Sequence, residues 1–596
     1  MEEMYAVLRK YFGYSSFRPL QKEIITDILN GKDVFVLMPT GAGKSICYQV
    51  PALLSDGLTV VVSPLISLMK DQVDGMRQNG IACAYLNSSL SRKDQDAIYT
   101  QLLANKIKLL YVAPERLMQN AFVEFLQKLR VSFFAIDEAH CISEWGHDFR
   151  PEYKDLKFLK QFFPEVSIMA LTATATDRVR VDIVKTLRLQ DAQTFTASFN
   201  RPNLSYTVLP KKGVSEQILE YIKRHHDESG IIYCQSREKV DRLTEKLNKN
   251  GIKALSYHAG QDARTRQKHQ EAFIKEDVDV IVATIAFGMG IDKPNVRFVI
   301  HADLPSNLER YYQETGRAGR DGLPSECLLF YSYADKSAIE FFIRKKSIVE
   351  QEISKRLLKK MVEFAETKTC RRKLLLSYFS ESFSHDNCKS CDNCVYPADT
   401  FDATIIAQKI LSCVFRVEQR FGAGYVVDIL TGSDDIRIKK NNHQQLSTYG
   451  IVTDFSASQI RTFIQELVHL GYLAQTQDQY PVLQLTKKSW DILKKKQPIM
   501  LSLPKVIKEK KAKKDYGKNP ELFENFRVLR KKLADEQNVP PYVIFSDVTL
   551  KEMSSTLPQT KEDFADIKGV GKQKLAKYAE SFLQVVQEYR SQKEIV

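Results

Sequence analysis

Short, fully apolar runs rich in β-branched side chains recur through the first 340 or so residues, each closed by a turn signal and followed by a helix-period stretch. The first set is DVFVLMP, LTVVVSP, KLLYVAP, SFFAIDEAH and SIMALTAT. A strand that is apolar on both faces must be covered on both faces, and the intervening helices supply the cover. The pattern therefore demands parallel sheet wrapped in helices. From about Asn200 it restarts with GIIYCQS, IKALSYHAG, VDVIVATIAFG, VRFVIHAD and ECLLFY. Two such blocks predict two α/β lobes, over residues 1–207 and 208–338, and a cleft between them is a natural ligand site.

Beyond Ala334 the texture changes to helix-period segments rich in lysine and arginine, which end in a cysteine cluster and define a helical subdomain over 339–400. Over 401–493, SASQIRTFIQELVHLGYL followed by YPVLQLTKKSWDIL reads as helix, strand, turn, strand, the order of a winged-helix domain, with a wing hairpin expected near Asp434 to Gln445. Residues 494–519 are expected to be a basic linker, a solvated tether or a weak phosphate-contacting strap, since Lys494 to Lys518 hold ten lysines against two acids. The last segment, 520–596, reads as a small all-helical domain.

Lysine and arginine total 87 against 73 acids, a net charge of +14 that favours polyanionic partners such as nucleic acid. With 43% hydrophobic and 27% charged residues, largely disordered, collagen-like and coiled-coil chains are excluded. No apolar run reaches the 18 or so residues needed to cross a bilayer, and MEEMYAVLRKYF lacks a signal-peptide apolar region. Six cysteines are scattered singly, as expected of reduced thiols. A cytoplasmic protein without membrane contact is the expectation.

MPTGAGKS, from Met38, follows an apolar run and precedes a plausible helix. A glycine turn there aims backbone N–H groups at phosphate, and the helix N-terminus adds partial positive charge. Thr40, Gly41, Gly43, Lys44 and Ser45 are the candidate nucleotide contacts, with Lys44 reaching the β and γ phosphates and Ser45 ligating Mg²⁺. Met38 stands where the usual pattern begins with glycine. IDEAH, from Ile136, ends the run SFFAI, so Asp137 can hold Mg²⁺ and Glu138 can orient and deprotonate water at the same crevice. The second block supplies YYQETGRAGRDG, whose Arg317 and Arg320, set among glycines, can reach across a cleft to stabilise charge on a transferring phosphoryl group.

These motifs, with FRPLQ from Phe17, VVSPLISLMKDQ from Val61, APERL from Ala113, LTATA from Leu171, YCQSRE from Tyr233, ATIAFGMGIDKPNVRFVIH from Ala283 and QETGRAGRDG from Gln313, occur in an order that resembles the RecQ family of superfamily-two DNA helicases. The resemblance implies two RecA-like lobes, a zinc-binding helical subdomain, a winged helix and an HRDC-like helical domain. It implies ATP as the nucleotide, with Gln21 reading adenine between Tyr14 and Arg18, and Gln313 among the catalytic residues. CISEWGHDFRPEY resembles the family's aromatic-rich loop, in which Trp145, His147, Phe149 and Arg150 would couple DNA occupancy to hydrolysis; such planes stack on unpaired bases. Cys370, Cys388, Cys391 and Cys394 fit tetrahedral zinc, which the family carries at this place. An iron–sulfur cluster is the alternative, and His385 a substitute ligand.

The expected function is an ATP-, Mg²⁺- and Zn²⁺-dependent helicase that moves 3′ to 5′ on single-stranded DNA and unwinds duplex DNA in repair and recombination. It would be competent as a monomer, with single-strand-binding protein a candidate partner. Lys70, Arg116 and Thr284 to Gly290 are further candidate strand contacts. The rivals are an RNA helicase and an ATP-gated clamp that remodels without unwinding. Residues 520–596 carry 12 basic and 12 acidic residues. Their role is open between DNA binding, through IKGVGKQKLAKY from Ile567, and protein contact or autoregulation.

Overall fold

The computed structural model describes residues 2–64, 66–87, 90–144, 149–288, 293–397, 400–476, 482–495, 497–502 and 518–594. The chain divides into two compact units, Met1–Asp392 with Lys511–Val596, and Asn393–Lys510.

The first lobe is a seven-stranded parallel sheet. Its strands are β1 (Val34–Leu37), β2 (Leu58–Val62), β3 (Cys83–Leu86), β4 (Leu109–Val112), β5 (Val131–Ile136), β6 (Ser167–Thr172) and β7 (Gln193–Thr196), ordered β3-β4-β2-β5-β6-β1-β7. β1, β2, β4 and β6 are buried throughout, as continuous apolar runs require when helices cover both faces. Ile136 pairs with Ala170 and Leu37 with Thr172, so the chain leaves β5, β6 and β1 side by side at one edge of the sheet. That register brings the loops beginning at Met38, Asp137 and Ala173 together.

The second lobe repeats the scheme with β8 (Leu204–Pro210), β9 (Ser229–Tyr233), β10 (Ala254–Tyr257), β11 (Val280–Ala283), β12 (Val296–His301) and β13 (Ser325–Tyr331), ordered β10-β11-β9-β12-β13-β8. The boundary expected at residue 207 cuts through β8, which pairs with β13 over its whole length. As an edge strand β8 is only alternately buried, so it lacks the continuous apolar run that marks the others.

Helices Tyr333–Ile343, Ile348–Glu366 and Arg371–Tyr378 follow. The segment from Pro520 is a helical bundle closed around Phe523, Phe526, Phe545, Phe564 and Phe582, and it belongs to the same unit as both lobes.

In the second unit, helices Thr404–Arg416, Ala423–Leu430 and Ala457–His469 pack Ile410, Val414, Val426, Phe463 and Leu467 into one core. The antiparallel pair β15 (Leu473–Gln475) and β16 (Leu483–Leu485) completes the winged-helix order. Two expectations are corrected here. Asp434 to Gln445 is helical, not a hairpin: Asp435 accepts a hydrogen bond from the Arg437 N–H and starts the helix Ile436–Lys440, with a 3-10 turn at His443–Gln445. The segment expected to be linker from residue 494 contains strand β17 (Met500–Ser502), which pairs antiparallel with β14 (Thr400–Asp402) because Ile499 and Leu501 are buried in the unit's core. Residues 503–517 lie outside those described.

Candidate active site

The turn after β1 is built on glycine. Gly41 and Gly43 have φ of +83° and +88°, and a Cβ at Gly43 would fall 2.5 Å from the Gln21 amide nitrogen. Gly43 caps the helix Lys44–Leu54 without a side-chain hydrogen bond, so the positive end of that helix opens directly onto the loop, as an anion site requires. Lys44 donates to the Met38 carbonyl at 3.0 Å, while the Met38 side chain is buried in the lobe's core. The departure from glycine at that position is thereby explained: the site uses the backbone of residue 38, and its side chain belongs to packing.

Asp137 emerges from β5 with its N–H bonded to the Val62 carbonyl at 2.9 Å and its carbonyl held by the Tyr153 hydroxyl at 3.1 Å. Burial, reinforced by the adjacent Glu138 carboxylate and opposed by Lys44, pushes the Asp137 carboxyl up to about 7. Hard oxygen donors in this crevice, Asp137 and the Ser45 hydroxyl, suit Mg²⁺, and a divalent ion would offset the buried charge. Glu138 adopts a left-handed backbone, φ +49°, unusual for a residue other than glycine and typical of strained functional positions. One of its oxygens lies 3.2 Å from Nδ1 of the wholly buried His140, which also sits 2.9 Å from the Thr172 hydroxyl.

The second lobe closes on this edge. Gln313 donates to the Thr174 hydroxyl at 3.0 Å. Arg201 reaches the Thr40 carbonyl at 2.7 Å while also donating to the carbonyls of Ala318 at 3.0 Å and Gly319 at 2.8 Å. A cavity of about 680 Å³ results, and every residue singled out for nucleotide chemistry lines it, from Tyr14, Arg18 and Gln21 through the phosphate loop, Asp137 and Glu138 to Gln313, Arg317 and Arg320. Gln21 accepts from the Arg18 N–H at 2.8 Å and donates to the Gly43 carbonyl at 3.0 Å, which ties the segment expected to meet adenine to the phosphate loop. Arg201 does not stand out in NRPN, and Thr174 falls within the LTATA motif without a role of its own being legible there. Arg201→Ala is expected to lower kcat for hydrolysis at least about tenfold while leaving nucleotide affinity within about threefold, since it joins the lobes and does not line the pocket. Steady-state kinetics with saturating DNA check this.

Glu309, on the helix that carries Gln313, is buried; burial pushes its carboxyl up to about 7, against the opposing hydrogen bond from Tyr378. The fold thus favours the protonated form. Its stability contribution is complete below the ordinary value of 4.5 and is lost as pH rises through about 7. Glu309→Gln is expected to be more stable than the wild type by about 3 kcal/mol at about pH 8, the advantage vanishing near pH 4.5. Urea unfolding at the two pH values measures it.

Of the aromatic loop, Trp145 and His147 lie outside the described residues. Phe149 is exposed, and Arg150 donates to the Pro64 carbonyl at 2.9 Å. Arg150 also lines a second groove with Arg237, Arg266, Arg310, Arg317 and Thr284, a run of guanidinium groups suited to a phosphate backbone. Arg237 falls within the YCQSRE motif, whereas Arg266 and Arg310 lie outside every motif read from the sequence. Gly290 lies outside the described residues. Arg116 donates within its lobe to Gln95 at 2.8 Å and Tyr99 at 2.9 Å. Lys70 lies 3.6 Å from Glu271.

The sulfurs of Cys370, Cys388, Cys391 and Cys394 all lie within 4.8 Å of one another, and His385 is not in the group. Sulfurs set tetrahedrally about zinc at about 2.3 Å are about 3.8 Å apart, so the spacing suits one ion.

Nucleotide chemistry that needs both lobes at once is the layout of a helicase motor. Residues 18–182 match the DEAD/DEAH box helicase family model and 213–322 the helicase conserved C-terminal domain. The RecQ zinc-binding model matches 333–395, the RQC domain 397–510 and the HRDC domain 519–586. The chain is 46% identical to the ATP-dependent DNA helicase RecQ of Pasteurella multocida over 98% of this chain and 93% of that protein. It is 43% identical to that of Bacillus subtilis over 98% of each. The chain belongs to the RecQ family of ATP-dependent DNA helicases. Among the described residues, no helix is long and apolar enough to cross a membrane.

Proposed function

We propose that this helicase moves 3′ to 5′ along single-stranded DNA and unwinds duplex DNA in repair and recombination, as a cytoplasmic monomer that uses Mg²⁺ and works beside single-strand-binding protein. The observation that carries the mechanism is the pair of bonds across the cleft, Gln313 to Thr174 and Arg201 to the phosphate loop. Lys44 and the amides after Gly43 hold the β and γ phosphates. When bound, Mg²⁺ supplies charge neutralisation there, and Ser45 and Asp137 are the residues that would hold it. Glu138 takes a proton from the attacking water, and Arg317 and Arg320 stabilise charge on the transferring phosphoryl group. Because those arginines belong to the second lobe, hydrolysis requires closure, and product release lets the lobes part. Each cycle of closing and opening moves the second lobe's share of the arginine-lined groove along the strand.

The test is hydrolysis with and without single-stranded DNA, together with unwinding of duplexes carrying a 3′ or a 5′ tail. Strong stimulation by DNA and unwinding of the 3′-tailed duplex alone are expected. Equal stimulation by RNA, or hydrolysis without strand separation, would overturn the reading.

A further inference from the structure

The C-terminal helical domain grips both lobes. On the first lobe, the Gly569 N–H donates to the Gly13 carbonyl at 3.0 Å, and a Cβ at Gly13 would fall 2.6 Å from the Val570 nitrogen. On the second, Lys531 pairs with Asp277 at 2.8 Å, Lys275 donates to Asn538 at 2.6 Å, and the wholly buried Arg530 lies 3.7 Å from Glu276. The glycine turn at 569–571, the element with the best chance of meeting a DNA phosphate, is instead packed against residues 10–13: a Cβ at Gly571 would meet the Lys10 carbonyl at 3.1 Å. Held this way, the domain forms one wall of the nucleotide cavity, to which it contributes Tyr542, Thr549, Lys568 and Lys574.

Lys574 sits half-buried in that wall. Among the described residues no carboxylate pairs with it, and its contact is the Phe545 ring, 5.7 Å away. Burial without a counter-ion pushes its amine down to about 8. A desolvated ammonium group is costly unless an anion meets it, and the cavity it faces is built for a polyanion. We propose that Lys574 is a nucleotide-binding residue supplied to the ATP cleft by the C-terminal domain, its ammonium group meeting the phosphates of the bound nucleotide. The domain is then a working wall of the motor's active site, and its neutral net charge reflects a role inside the protein, not on DNA.

The proposal rests on the cleft being the nucleotide site, and the experiment separates the two. Equilibrium binding of Mg²⁺-ADP and of adenosine to the full chain is measured for the wild type, Lys574→Gln, Lys574→Arg and Lys44→Ala. Lys574→Gln is expected to weaken ADP about tenfold and adenosine less than about twofold, with Lys574→Arg within about threefold of the wild type for ADP. Lys531→Glu leaves Lys574 in place but opposes Asp277; it should weaken ADP as much, and adding Asp277→Lys should restore it. Unchanged ADP binding in Lys574→Gln, with binding lost in Lys44→Ala, overturns this proposal alone. Unchanged binding in both overturns the assignment of the cleft. Equal weakening of ADP and adenosine by Lys574→Gln makes the lysine a packing residue and also overturns the proposal. Should Lys574→Gln fail to fold, the charge swap decides.

Discussion

Glu138→Gln is expected to lower ATP hydrolysis about a thousandfold, abolish unwinding, and leave nucleotide and DNA affinity within about threefold of the wild type. The substitution keeps shape and removes only the basic oxygen. Three features aim that oxygen at the nucleotide. Glu138 follows a strand that ends at the phosphate loop's edge of the sheet, its left-handed backbone turns it out of the strand's line, and His140 holds the carboxylate at 3.2 Å from below. Asp137, half-buried and held at its carbonyl by Tyr153, is poorly placed to substitute as the base. Single-turnover hydrolysis with saturating DNA gives the rate, and equilibrium binding gives the affinities. A loss of less than tenfold would move the base elsewhere. His140→Ala should cost less, because it acts by positioning Glu138.

Much of this centre was legible in the sequence because each part couples a chemical residue to a strand end. Lys44 and Asp137 announce themselves by what precedes them: an apolar run fixes a strand, a strand's carboxyl end fixes the crevice, and the loop residues then have one place to be. What joins the lobes was not legible. Arg201 joins the lobes through a guanidinium group whose bonds go mainly to backbone carbonyls, and those have no sequence signature. Thr174 sits in the LTATA motif, but its hydroxyl gains a role only once Gln313 of the other lobe meets it. The failed hairpin at Asp434 to Gln445 has a local cause: its polar composition suited a turn, but Asp435 served as a helix cap. At Met500–Ser502 the nearby lysines masked an apolar strand that completes the second unit's core. The docking of the C-terminal domain was hidden for a similar reason, since a balanced charge count cannot show that Arg530 and Lys531, paired with Asp547 and Asp535 of their own domain, also reach Glu276 and Asp277 of the second lobe.

Cys391→Ala is expected to strip the zinc and destabilise the surrounding module by at least about 5 kcal/mol, given that structural zinc supplies about 10–16 kcal/mol of apparent binding energy in small domains. The loss should also reach ATP hydrolysis, through connected side chains. Cys370 immediately precedes the helix Arg371–Tyr378, and Arg371 makes a buried ion pair with Asp392 at 2.6 Å, which lies between two of the other cysteines in sequence. Asp392 in turn accepts from the Val208 N–H of β8 at 3.2 Å. Arg372 donates to Ser390 at 2.9 Å, to Asn200 at 2.7 Å and to the carbonyl of Arg201 at 2.6 Å, and Arg201 is the residue that spans the cleft to Thr40. An ion that fixes the cysteines therefore fixes both arginines, and through Arg372 the backbone of the residue that joins the lobes. Zinc content, thermal unfolding and DNA-stimulated hydrolysis of Cys391→Ala should fall together, while Arg372→Ala should keep its zinc and still lose hydrolysis about tenfold. A zinc-free Cys391→Ala protein with wild-type hydrolysis would break the link from the metal to the motor, and Arg372→Ala with unchanged kcat would remove Arg372 from it.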